Sequence, residues 1–253
     1  MRKIIVFLIL FAFSKALAHD MWINLSSYRL KPSDSISLTV SYGHRYLIPG
    51  GEFMKRDDVE KIYAIGPDGK KIPLSFINEI ESRSEPILKN GTYLVVCTKK
   101  GGFFTKTVQG YKRSPKKGLK GVIYCKYSVK NAKAIFCVGS PKGDVFKKRI
   151  GLELEIIPLK DPSLLKAGDY LPIKVLFRGK PLSKEYVFAT YAGFSSEKNV
   201  FAYATRTDSQ GIAKVKILRS GIWLVVVRHS VPYPDPKKCD KISCQSALTF
   251  EVK

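Results

Sequence analysis

The chain has 253 residues and carries 44 Lys and Arg against 21 Asp and Glu, a formal charge of +23. With 45% hydrophobic and 11% aromatic residues it is too apolar for a disordered basic tail, and its length allows one or two domains with a sizeable core. No run of 18 or more apolar residues occurs, which excludes a multi-span helical membrane protein.

Residues 1–18 read MRKIIVFLILFAFSKALA. Arg2 and Lys3 make a basic start, residues 4–13 an apolar stretch, and Ala16-Leu17-Ala18 a small-x-small cleavage site. That order is a secretory signal, and its apolar stretch is too short to span a bilayer. The expected product begins at His19 and is periplasmic or secreted. The leader holds Arg2, Lys3 and Lys15 and no acid, so part of the positive charge leaves with it. Export makes nucleic acid an unexpected partner and anionic membrane or envelope surfaces the natural counter-surface.

The remainder reads as strands. Residues 36–42 (ISLTVSY) alternate and are rich in β-branched and aromatic side chains, as are 61–65, 91–97, 152–157 and 171–177. Segments 186–191, 213–218, 221–228 and 247–252 follow the same pattern. Turn signals separate them, among them Pro67-Asp68-Gly69, Asn90-Gly91, Arg178-Gly179-Lys180 and Asp208-Ser209-Gln210-Gly211. Short strands at regular spacing point to β-sandwiches rather than a βαβ fold. Residues 119–130 fit either a short helix or the first arm of a hairpin.

Residues 99–149 hold 15 Lys or Arg and one acid, Asp144, together with the loop signals Gly101-Gly102, Ser114-Pro115 and Ser140-Pro141. They read as a basic excursion, either a solvated loop or a docking surface for an anionic membrane or envelope polymer. The text then turns to tidy alternating strands. The expected organisation is an all-β chain of two sandwiches: an N-terminal domain at 19–149 and a C-terminal one at 150–253. Glu153 and Glu155 alternate along a strand as a solvent face would.

Five Cys in an exported chain allow two disulfides with one thiol left over. Cys239 with Cys244 suits a short local loop, and Cys125 with Cys137 suits closure across a Lys130-Asn131-Ala132-Lys133 turn, with Cys97 able to replace either member of the second pair. No H-E-x-x-H, G-x-S-x-G or P-loop pattern is present, so a non-enzymatic role is expected.

Chemistry narrows to three histidines. An N-terminal His19 offers an α-amine and an imidazole on one residue, and the amine titrates near 7.7–8.0, so a divalent metal displaces its proton readily. His44 follows a strand and opens a loop through Pro49-Gly50-Gly51-Glu52, and His229 ends a strand before Val231-Pro232. Strand ends are where loop-borne sites form. The expected metal site is His19, His44 and His229, with Asp20 and Glu52 as supporting acids and Asp57 and Asp58 as weaker ones. Nitrogen-rich donor sets suit Ni(II) and Cu(II).

Several segments together resemble a known family. His19-Asp20-Met21-Trp22-Ile23 resembles the His-acidic-apolar-Trp opening of a periplasmic family associated with nickel and cobalt uptake, labelled NikM-like or NikK-like. Tyr42-Gly43-His44 with Pro49-Gly50-Gly51-Glu52 resembles its G-H loop, and Ala132-Lys133-Ala134 its A-K-A segment. Leu154-Glu155-Ile156 with Pro158 and Asp161-Pro162 resembles its L-E-I-x-P-x-x-D-P signature. His229 falls where the family's late His stands. From 167 onward, Ala167-Gly168-Asp169, Gly179-Lys180-Pro181-Leu182, Thr207-Asp208 and Gly221-Ile222-Trp223 resemble prealbumin-like, Ig-like sandwiches. The resemblance implies an accessory protein that captures Ni(II) or Co(II) for an inner-membrane transporter. The alternatives are a copper protein with a histidine brace and a non-catalytic module that binds envelope partners.

Overall fold

The computed structural model describes residues 19–47 and 51–253. The leader with its cleavage site, and the Pro49-Gly50 part of the G-H loop, lie outside the described residues. In chain order the strands are β1 (Asp20–Leu25), β2 (Arg29–Leu30), β3 (Ser37–Gly43), β4 (Val59–Ile65) and β5 (Lys71–Pro73). Next come β6 (Ser75–Phe76), β7 (Glu81–Arg83), β8 (Gly91–Lys99), β9 (Gly102–Thr107) and β10 (Gly110–Lys112). The long β11 (Val122–Val138) precedes β12 (Leu154–Pro158), β13 (Tyr170–Phe177), β14 (Lys180–Pro181) and β15 (Tyr186–Tyr191). The last are β16 (Tyr203–Arg206), β17 (Ile212–Lys216), β18 (Gly221–Pro232) and β19 (Lys241–Val252). Single 3-10 turns stand at Arg56–Asp58, Val145–Lys147 and Pro162–Leu164, and the described residues hold no α-helix. The fold is all-β, as the alternating pattern predicts.

The strands form three sheets. A large central one runs β16-β15-β18-β19-β11-β8-β4-β5, with β2, β9 and β10 attached beside it. Strands β1, β3, β7 and β6 make a second sheet, and β12, β13, β14 and β17 a third. Both faces of the central sheet are apolar, and successive side chains of a strand point to opposite faces. Tyr93, Val95 and Cys97 of β8 join Leu224 and Val226 of β18 in a core with Met21, Ile23 and Leu38 of the second sheet. Leu94 and Val96, with Trp223, Val225 and Val227, enter another core with Leu154, Ile173 and Val215 of the third. The molecule is therefore three-layered, and the central sheet is a partner to both outer ones. Residue 150 joins the last strand of one half, β11, to the first of the third sheet, while the central sheet takes strands from both sides of that point.

The basic stretch is built differently from the expected excursion. Residues 99–149 supply β9, β10 and β11, and β11 lies in the middle of the central sheet, parallel to β19 and antiparallel to β8 and β9. Residues 119–130 enter this strand and form no helix. The Lys130-Asn131-Ala132-Lys133 segment is no turn: all four are buried strand residues. Cys125 and Cys137 consequently sit on one extended strand and cannot close on each other. The disulfide instead joins Cys125 to Cys239, with Cα atoms 5.0 Å apart, and Cys97, Cys137 and Cys244 are buried thiols. Burial pushes the Cys97 and Cys244 thiols up to about 12.

Glu155 is also not a solvent-facing acid. It is buried on β12 and pairs with buried Lys133 of β11, Nζ to Oε1 at 2.5 Å. Its carboxylate further accepts from the backbone N–H of Ile150 (2.7 Å), Gly151 (3.0 Å) and Leu152 (3.3 Å). Asn131 Nδ2 donates to the Leu154 carbonyl at 2.8 Å. Two of the segments that carried the resemblance, around Lys133 and Glu155, thus meet as one polar contact between layers. Further on, Asp208 Oδ1 accepts from the N–H of Gln210 and Ile212, and Gly211 takes φ +75°. A Cβ at Gly211 would come within 2.7 Å of the Val175 carbonyl oxygen, so this turn requires glycine.

Candidate functional site

β1 and β3 pair antiparallel, with Asp20 opposite Gly43 and Met21 opposite Tyr42. That register sets the residue before β1 beside the residue after β3. His19 and His44 accordingly meet, with ring centroids 4.4 Å apart. The His19 ring also stacks on Tyr42 at 5.1 Å with the planes parallel. Glu52 lies at the rim, its Oε2 3.9 Å from His19 Nε2, and is mostly exposed.

His44 is oriented from behind. Its Nδ1 lies 3.1 Å from Asn199 Oδ1, and the Asn199 backbone N–H donates to the His44 carbonyl at 2.8 Å. With the amide oxygen accepting, Nδ1 carries the proton and Nε2 keeps a free lone pair, the usual arrangement for a metal-ligating imidazole. Tyr46 OH stands 3.2 Å from the same Oδ1 and 2.6 Å from Asp20 Oδ2. Arg228 of β18 donates from Nε to Asp20 Oδ1 at 2.9 Å, from Nη2 to Oδ2, and from Nη2 to Tyr46 OH at 2.9 Å. Its guanidinium lies over Phe188 and Phe201. Asp20 is fully buried in this network, both oxygens occupied, and reaches His44 only through Tyr46 and Asn199. Burial, then the Asp20 charge, push the Tyr46 hydroxyl far up, so it stays protonated as a donor.

Cations surround the pair. Lys130 of β11 donates from Nζ to the His19 carbonyl, and both Lys130 and Lys99 lie near the Tyr42 ring. Lys99 is neutralised by Asp58 at 2.7 Å. Burial is the largest cause that brings the Lys130 ammonium down to about 8; Asp20 opposes it and Lys126 adds to it. His19 is held below its ordinary 6.5 by burial, then by His44, with Glu52 pulling the other way. It is therefore neutral at pH 7 with its lone pair available.

His229 is not part of this arrangement. On β18 the even positions Leu224, Val226 and Arg228 face the second sheet, and the odd positions Val225, Val227 and His229 face the third. His229 Nδ1 pairs instead with Glu185 Oε2 at 2.6 Å, and its ring meets Phe177 edge-on. His229 does not end its strand as expected: β18 continues to Pro232, and alternation within it sends the His229 side chain to the face away from the pair. Its neighbour Arg228 reaches the site in its place. Asp58 pairs with Lys99 and, after burial, its charge also pushes the Tyr42 hydroxyl up, and neither Asp57 nor Asp58 hydrogen-bonds either imidazole. Among the described residues no group of three or more His, Cys, Asp and Glu side chains is placed to hold a metal ion. Two imidazoles and a peripheral carboxylate are what the side chains offer.

Asn199, Tyr46, Lys130 and Arg228 were not anticipated as site residues. Arg228 was open to strand parity, since it shares a face with Leu224 and Val226. Asn199 and Lys130 come from segments far away in the chain and leave no local signal.

The profile of a family described as a domain of unknown function, DUF4198, matches residues 16–231. Among curated proteins there is no match. Solved structures align weakly over most of the chain. The D0-D1 domain of intimin matches at 14% identity, over 91% of this chain and 97% of its own, with a TM-score of 0.23. The Yersinia pseudotuberculosis adhesin InvE matches at 9% identity, over 92% of this chain and 58% of its own, at 0.23. Murine CEACAM1b matches at 8% identity, over 92% and 100%, at 0.24. TM-scores this low define neither a shared fold nor a shared function.

Proposed function

The chain belongs to the DUF4198 family, and we propose that it binds a divalent transition metal through His19 and His44. The observation that carries this reading is the contact of the two imidazoles, one of them neutral at pH 7 and the other tied at Nδ1 by Asn199. Two imidazoles alone make a weak site. If the chain is cut after Ala18, the His19 α-amine becomes a third nitrogen on the same residue, and Glu52, whose Oε2 lies 3.9 Å from His19 Nε2, is an oxygen donor beside it. The donor chemistry suits Ni(II), Co(II) and Cu(II), and copper binds the most tightly of the three on raw affinity. The resemblance at the mature start favours nickel or cobalt as cargo, held for an inner-membrane transporter.

Titration calorimetry with each metal, on a chain beginning at His19, tests the reading. Binding is expected to weaken at least about tenfold in His44→Ala, and likewise when one extra residue precedes His19, since that converts the amine to an amide. His229→Ala is expected to bind as the parent does. No binding of any of the three metals, or binding indifferent to both His44 and the extra residue, overturns the reading.

A further inference from the structure

Four exposed cations of the basic stretch, Lys112, Arg113, Lys117 and Lys120, stand on the β9–β10–β11 ribbon and the loop between β10 and β11, which returns to the ribbon's free end; Lys100, Lys142, Lys147, Lys148 and Arg149 are exposed elsewhere. β10 pairs with β9, and β9 with the start of β11, so three strands project together there. Lys106, Lys112, Arg113, Lys116, Lys117 and Lys120 stand in this ribbon and its following loop, and residues 101–143 contain no Asp or Glu. Of the six, Lys116 is neutralised by Asp240. Lys112, Arg113, Lys117 and Lys120 are exposed and Lys106 half-buried, and no acid of their own segment stands among them.

The same end exposes large apolar side chains. Val108, at the β9–β10 turn, is 75% exposed, Tyr111 is 64% exposed and Ile123 is 57% exposed. None of the three belongs to either core. Val108 rests on Gly121, where an added Cβ would come within 2.6 Å of it. Tyr111 lies across from Lys106, whose other neighbour is Tyr124 on β11. Lysines on an edge strand ordinarily guard against edge-to-edge pairing. A guard needs charge alone, and this end adds a valine, an isoleucine and a tyrosine that water does not favour.

We propose that the tip of this ribbon docks on an anionic lipid surface, with Val108, Tyr111 and Ile123 entering the headgroup boundary and the surrounding Lys and Arg pairing with lipid phosphates. The charge sign fits, and an aromatic with two aliphatics beside basic groups is the composition of an interfacial anchor. A soluble anionic polymer would use the cations and leave the apolar tip in water. That difference separates the two surfaces.

The test is co-sedimentation of the chain beginning at His19 with vesicles of phosphatidylcholine, with and without phosphatidylglycerol, alongside retention on immobilised heparin. Binding is expected only with phosphatidylglycerol. Each basic group near such a surface strengthens binding about fivefold, so Lys112→Gln, Arg113→Gln and Lys117→Gln together are expected to lose roughly 100-fold. The apolar set Val108→Ser, Tyr111→Ser and Ile123→Ser keeps the charge and is expected to lose at least about tenfold on vesicles with heparin retention unchanged. Vesicle binding undiminished by the apolar set overturns the proposal in favour of a polymer surface, and so does a parent chain that ignores anionic vesicles. All six positions are outside the cores, and an unchanged melting temperature certifies each variant; should the triple apolar set melt early, Val108→Ser alone is read in its place.

Discussion

Protonation of one residue links the site to pH. His19 binds a proton less readily in the fold than its ordinary 6.5, because burial and His44 disfavour the charged ring. Below pH 6.5 the unfolded chain therefore holds more protons at this residue than the folded one, and stability contributed here is lost as pH falls. A bound metal competes with the same proton. If the His19 amine does not ligate, His19 loses affinity only below the ordinary 6.5, because the fold already disfavours its protonated ring. If the His19 amine also ligates, the loss begins near pH 8, where an α-amine takes up its proton. Calorimetry in steps from pH 8.5 to pH 5.5 separates the two ligand sets by the pH of onset, in the range of the ordinary values. Affinity flat from about pH 8.5 to pH 7 would exclude the amine as a ligand. His19 and His44 stand out in the sequence as positions flanking strands, and the β1–β3 register brings the two rings together. Asp20 nonetheless turned inward to Arg228 and Tyr46, since a strand residue next to a site residue faces the other way.

Elements show where periodicity succeeds and where it misleads. β3 and β13 lie where alternation placed them, because facing one core takes one apolar residue in two; β8 lies where expected too, but as a continuous apolar run that serves both cores. β11 breaks the rule with Lys130, Asn131 and Lys133 in its middle, which read as a turn. Each finds a partner in another layer: Lys130 the His19 carbonyl, Asn131 the Leu154 carbonyl and Lys133 the Glu155 carboxylate. Those partners come from distant parts of the chain, so nothing near residues 130–133 announces them. The β11–β12 contact has an asymmetry that can be measured. Without Lys133, Glu155 still accepts from three backbone N–H groups. Without Glu155, Lys133 keeps only the Ile156 carbonyl at 3.2 Å. Breaking a buried pair from one side costs about 3–5 kcal/mol, and the orphaned charge sets the amount. Glu155→Leu is therefore expected at the upper end and Lys133→Met at the lower, by urea denaturation. The reverse order would show that the N–H groups of residues 150–152, and not Lys133, are satisfied elsewhere.

At the scale of the whole molecule, the central sheet decides how the chain unfolds. The sequence divides at residue 150 by composition, and each half supplies one outer sheet. Long-range strand pairing is invisible to composition, and here it dominates: β19 runs parallel to β11 over nine residue pairs and antiparallel to β18 over twelve. The disulfide from Cys125 to Cys239 ties the same two regions, 114 residues apart. A piece ending at 149 would keep β11 but lose β18 and β19, exposing Ala132, Ala134 and Phe136 beside an open edge. A piece starting at 150 would keep β18 and β19 but lose β11, β8 and β4, leaving Leu248 and Phe250 half covered. Neither half retains both partners of its core. The oxidised chain is accordingly expected to unfold in a single transition, with calorimetric and van't Hoff enthalpies equal. The pieces 19–149 and 150–253, expressed separately, are expected to lack cooperative melting and to recover it when mixed. Two resolved transitions in the intact chain, or a cooperative melt in either isolated piece, would show that each outer sheet forms a sufficient core with its own half of the central one.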